Sequence, residues 1–231
     1  MKDWFPLTSY DFYSYLACGM FFLFGLDYWY SGGQYLLREW TVFQGALLIS
    51  LSYIFGQIMA IPASMIFEHW LARGILRAPA ILMLSDKQNK VEKFIEKYLI
   101  GRHYSPLPKN VVSRIYMRAK NDTGLSHEDL KNDINEIFAP ALVNARKNTE
   151  TCNRINFFRN QYSFSRNMAF SGFLVFFLLL DSALRSGNDE ALGLLFLSFL
   201  IIFGMFLRFI KFYSCCAALL HKCKFRAESP L

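Results

Sequence analysis

Residues 157–180 read FFRNQYSFSRNMAFSGFLVFFLLL, and the change of character inside this stretch decides what kind of protein the chain makes. Up to Asn167 it is basic and rich in amides; beyond it, residues 168–184 carry a single charge, Asp181. A helix needs roughly 20 apolar residues, with about 17 as the short limit, to cross the hydrocarbon of a bilayer. Residues 168–184 meet that limit. Three further stretches, 12–30, 42–67 and 191–212, are equally poor in charge. Buried helices of a soluble bundle keep a polar face, which these lack. The expected fold is therefore an all-α membrane protein with four transmembrane helices. Residues 1–67 form an N-terminal transmembrane hairpin, 68–166 a helical cytoplasmic domain inserted between the second and third spans, 167–213 a C-terminal hairpin and 214–231 a cytoplasmic tail.

Basic residues give the orientation, because Lys and Arg stay on the cytoplasmic side of short connections. Of 25 in the chain, 17 lie in 68–166, five beyond residue 207 and one at the N-terminus; only Arg38 and Arg185 lie in the two short connections. Both termini and the middle segment are expected on the cytoplasmic side. Tyr and Trp residues at 10–15 and 28–30 mark the two ends of the first span as interfacial belts. The N-terminus has no small-residue cleavage motif, which favours a membrane helix over a secretory leader.

In the second span, Ser52, Gly56, Ala60 and Ser64 recur every four residues. Small residues at that interval let two helix backbones approach closely. Packing within the chain and contact between subunits both fit the pattern. Gln57, one position off the ridge, needs a hydrogen-bond partner in lipid, and Pro62 is expected to bend the helix.

The middle segment reads as short helices. Val91, Phe94, Ile95, Tyr98 and Leu99 form an apolar stripe; Val111, Val112, Ile115 and Tyr116 form another, ended by NDTG at 121–124. Ser126 and Asp129 look like the start of a capped helix with Leu130, Ile134, Ile137 and Phe138 as its stripe. The repeated dipeptides Arg159-Asn160 and Arg166-Asn167 are two turns apart and share a face. Arginine there snorkels to lipid phosphate while nearby aromatic rings sit at the interface. The amides gain little from a headgroup, so contact with a neighbouring helix, an anionic ligand or a partner remains the other reading for all four residues.

Asp27, Asp181, Asp189 and Glu190 lie at the outer ends of the spans. Gathered around the axis of an oligomer, they would form an acidic pore mouth favouring cations. No catalytic set is expected. His69, His103, His127 and His221 are scattered, the cluster Cys215, Cys216, His221 and Cys223 has no standard zinc spacing, and no serine has nucleophile-elbow surroundings. An enzyme, a cofactor and a metal site are not expected.

Three stretches, FPLTSYDFYSYLACGM (5–20), FEHWLARGIL (67–76) after the small-residue helix, and FRNQYSFSRN (158–167), resemble bacterial inner-membrane proteins of anti-phage defence loci. That resemblance implies a four-helix effector, often tetrameric, controlled through its cytoplasmic part by a nucleotide signal or a partner protein. The expected function is a homo-oligomeric gated ion channel or membrane-permeabilising effector. The alternative is a non-conducting anchor or sensor that recruits a cytosolic partner.

Overall fold

The computed structural model describes residues 9–35, 38–75, 79–85, 88–97, 105–124, 143, 148–186 and 189–226. Its elements are α1 (Ser9–Ser31), α2 (Val42–Ala63), a π-helical segment (Ser64–Ile75), α3 (Pro79–Met83), α4 (Lys90–Ile95), α5 (Lys109–Thr123), α6 (Thr149–Ser186) and α7 (Asp189–Arg226). Among the described residues there is no strand. The capped helix expected from Ser126 lies outside them.

Among the described residues, three stretches are long and apolar enough to cross a membrane: Val42–Trp70, Thr149–Arg185 and Asp189–Cys216. Helix α1 runs for 23 residues, but the tyrosines, Trp29 and Asp27 lower its hydropathy below that of the others. Within the chain, only 22% of the apolar window of the first stretch and 17% of the third are buried. Much of the rest, including Ile54, Ile58, Ile61, Phe196, Phe199 and Phe203, is exposed. A continuous apolar surface of that extent is stable when its surroundings are apolar too.

The chain divides into two compact units, one of Met1–Leu71 and Ser163–Phe209, the other of Ala72–Tyr162 and Ile210–Leu231. In the first unit α6 is the central helix, and 44% of its apolar window is buried. Ser171 on α6 meets the Met59 sulfur on α2 at 3.3 Å, Val175 packs at Gly25 on α1, and Gly172 packs at Ile202 on α7. In the second unit Ile115, Tyr116 and Ala119 of α5 are buried with Leu84, and Leu107, Val111 and Val112 pack around them. There Phe157 and Phe158 of α6 meet Phe212 of α7 at 6.5 and 6.1 Å between ring centroids.

Local chemistry sets the helix ends. Thr41 and Gln44 form a reciprocal capping box that starts α2, satisfying two otherwise orphaned donors. Gly124 ends α5 in the left-handed conformation, φ 73°, with its N–H donating to the Lys120 carbonyl, as the NDTG stretch suggests. Gly32 and Gly33, φ 70° and 86°, turn the chain out of α1.

The closest helix contact joins α1 and α2. A Cβ on Gly56 would run into the Tyr15 carbonyl oxygen, and one on Gly19 into that of Ser52. Both obstacles are backbone atoms, which cannot rotate aside. Ser52 and Gly56 are buried, whereas Ala60 and Ser64 are only half-buried; Met59, Ala63 and Phe67 continue the buried stripe instead. A strict four-residue step advances about 40° per turn on a helix of 3.6 residues per turn, so the expected ridge leaves the contact after Gly56.

This geometry predicts opposite effects at two glycines of one helix. A methyl group on Gly45 would meet nothing within 4 Å, so Gly45→Ala should be neutral or raise stability by up to ~1 kcal/mol through helix propensity. Gly56→Ala should lower it by roughly 1–3 kcal/mol through overpacking. Thermal unfolding in detergent measures both; equal effects would contradict the close contact.

Candidate functional site

The most polar buried region lies in the first unit, around Arg166. Its side chain is 9% exposed, and Asn167 and Ser165 beside it are fully buried. Arg166 Nη1 donates to the Glu68 carboxylate, Nε donates to Asn167 Oδ1 at 3.1 Å, and Nη2 reaches Ser163 Oγ at 3.4 Å. Ser64 Oγ donates to the other Glu68 oxygen at 3.4 Å. The pair thus ties the π-helical segment to α6, residues 98 apart in sequence. One helical turn deeper, Cys18 of α1 lies beside Ser171.

A guanidinium and a carboxylate cancel charge at this depth, and breaking such a buried pair by removing one partner typically costs about 3–5 kcal/mol. Asn167 is held by its own geometry. Accepting from Arg166 Nε fixes its oxygen and so points its Nδ2 away, and that amide nitrogen is buried with no hydrogen-bond partner among the described residues. An unmet buried donor costs about 1–3 kcal/mol.

The π winding begins two residues after Pro62, the proline inside α2. Proline lacks the N–H that would bond to the carbonyl four residues earlier, and its ring crowds that carbonyl. Helices often absorb such a defect by local π winding, and π turns occur frequently at functional sites. Phe67 in this segment packs at 6.1 and 6.2 Å against Phe206 and Phe209 of α7. Glu68 and Phe67 together join the π segment to α6 and α7 at one level of the first unit.

The two repeated dipeptides share a face but not a depth. Arg159 is exposed and Asn160 half-buried in the second unit, whereas Arg166 and Asn167 are buried in the first. Burial and the Glu68 partner exclude lipid snorkelling as the role of Arg166. Gln57, on the outward side of α2, donates to Tyr53 Oη at 2.8 Å, a partner one turn back on its own helix.

The acidic residues at the other end of the first unit are not gathered alike. Asp27 accepts from Ser31 Oγ and from the Tyr35 N–H at 3.3 Å, fastening the turn after α1. Asp181 accepts from Trp29 Nε1 at 2.7 Å and from Arg185 at 2.8 Å, while the Arg185 guanidinium lies 5.8 Å over the Trp29 ring. Asp189 and Glu190 are exposed in the first turn of α7, where negative charge complements the helix dipole. Sequence reasoning missed the pairing of Trp29 with Asp181 and of Glu68 with Arg166, since no short-range pattern reports contacts across so long a separation.

No family model, no curated protein and no solved structure matches this chain.

The Trp29–Asp181 contact gives a direct prediction. Asp181 is part-exposed, so Asp181→Ala and Trp29→Phe should each cost about 1 kcal/mol. The double variant should cost clearly less than the two singles added. Additive costs in a thermal double-mutant cycle would mean that the two side chains do not interact.

Proposed function

We propose that this chain is a bacterial inner-membrane effector, acting as a homo-oligomer and controlled from the cytoplasm, that passes ions or permeabilises the membrane. The observation that carries the reading is that α6 and α7, each 38 residues long, both contribute to both units. A 38-residue helix is about 57 Å long, against ~30 Å of hydrocarbon. The length beyond the hydrocarbon carries basic residues, as expected of a cytoplasmic extension.

In this reading α1 is a fourth span. At 23 residues it is about 35 Å long. It contacts α6 near its C-terminal end through Trp29–Asp181 and near its middle through Cys18–Ser171, and lies against α2 at Gly19 and Gly56. Its tyrosines and tryptophan suit the interfaces. The 23:2 distribution of basic residues supports a topology with both termini and residues 68–166 in the cytoplasm and the turn after α1 and the α6–α7 connection outside. The resemblance to membrane proteins of anti-phage defence loci supports an oligomer, a tetramer first, and control by a nucleotide signal or a cytosolic partner binding the second unit, where Arg159 and Asn160 lie.

A non-conducting anchor or sensor that recruits a cytosolic protein is the second reading. The local engagement of Asp27 and Asp181 favours it, because it commits two of the four acids expected at a pore mouth to contacts within the chain. Charges at a mouth act over the ~8 Å Debye length of physiological salt. Overproduction in bacterial cells should collapse the membrane potential read by a voltage-sensitive dye. Asp189→Asn with Glu190→Gln should reduce the cation current of purified protein in planar bilayers, more at low salt. Membrane-inserted protein that leaves the potential intact, and bilayers that stay silent, would favour the anchor.

A further inference from the structure

We infer that Glu68 and Arg166 form an electrostatic latch that holds the segment after Pro62 in its π winding, and that releasing the latch rewinds it. Three observations meet at this one place. The segment Ser64–Ile75 is π-helical over 12 residues, a winding rarely sustained beyond a single turn. Its Glu68 carries the bond to Arg166 on α6, with Ser64 Oγ on the same carboxylate. Directly beside the pair, the Asn167 amide nitrogen is buried without a partner among the described residues.

Together these describe a poised state. The ion pair favours the observed winding, while the π geometry, rarely sustained beyond a single turn, opposes it. Losing the pair removes the cross-helix support of that winding and shifts the segment towards the alternative. Rewinding from π to α changes the rotational position of every residue beyond the change. Glu68 would then turn away from Arg166, and Phe67 away from Phe206 and Phe209. The latch rests on the proposed effector only for the direction in which the signal travels; its chemistry is independent of what the membrane unit does.

Hydrogen–deuterium exchange of the full-length protein in nanodiscs tests it, read on the amides of residues 64–71 with those of residues 46–60 as internal reference. Arg166→Gln and Glu68→Gln should each speed exchange at 64–71 by about tenfold or more, leaving the reference unchanged, because without the pair the segment passes between π and α winding and each passage breaks its backbone hydrogen bonds. The reversed pair, Glu68→Arg with Arg166→Glu, should bring the rate back towards the parent value. Should either neutral variant fail to fold, Arg166→Lys, which keeps the charge without the planar fork, should give an intermediate rate. Unchanged exchange at 64–71, a uniform rise that includes 46–60, or a reversed pair as fast as the single variants would each overturn the latch. Faster exchange with no change in membrane potential would keep the latch and remove the conducting effector.

Discussion

An arginine on a helix about to enter hydrocarbon is the constraint around which this structure is arranged. Charge at the centre of a bilayer costs about 2.5–3.5 kcal/mol on insertion scales, and a long side chain near the end of a span normally avoids that by reaching for the headgroups. Arg166 does not: it is buried, and its charge is answered by Glu68. Meeting it requires a second helix to bring a carboxylate to the same level, and the π-wound extension of α2 does so. One residue before Glu68, Phe67 packs against Phe206 and Phe209 of α7, while the pair itself is part-buried. A low dielectric strengthens a satisfied pair and penalises an unsatisfied neighbour, and Arg166 and Asn167 show both sides of that effect.

Away from the pair, helix association depends on proximity rather than on apolarity. Lipid tails are as apolar as leucine, so exclusion from water cannot drive one transmembrane helix onto another; close van der Waals contact does. Gly19 and Gly56 supply it by letting the α1 and α2 backbones touch, and Gly25 and Gly172 accept Val175 and Ile202. Many large apolar residues of α2 and α7, among them Ile54, Ile58, Phe196 and Phe199, are exposed, while Met59 and Phe209 are buried.

Much of this was legible in the amino-acid order, and the limits follow from range. The all-helical character, the long apolar stretches 42–67, 168–184 and 191–212, and the helix closed by NDTG depend on local propensity and length. The shared face of Arg159 and Arg166 follows from seven-residue spacing, but their different depths do not, because depth depends on where the rest of the chain lies. The Ser52–Ser64 spacing pointed to a small-residue face; helical precession then replaced Ala60 and Ser64 with Met59 and Ala63 in the buried stripe. Asp27 and Asp181 looked equivalent to Asp189 and Glu190 by position. Their partners, the Tyr35 N–H and the Trp29 indole, lie in a turn and on another helix. Pro62 signalled a disturbed helix without saying that π winding would absorb it.

Labelling of single cysteines in intact cells tests most directly the proposed four spans with residues 68–166 on the cytoplasmic side. With the five native cysteines replaced, Gln34→Cys and Ser186→Cys should react with a membrane-impermeant maleimide added outside. Lys2→Cys and Asn121→Cys should react only after the membrane is opened. Reaction of residues 2 and 34 on the same side would remove α1 as a span, and reaction of residue 121 from outside would reverse the orientation.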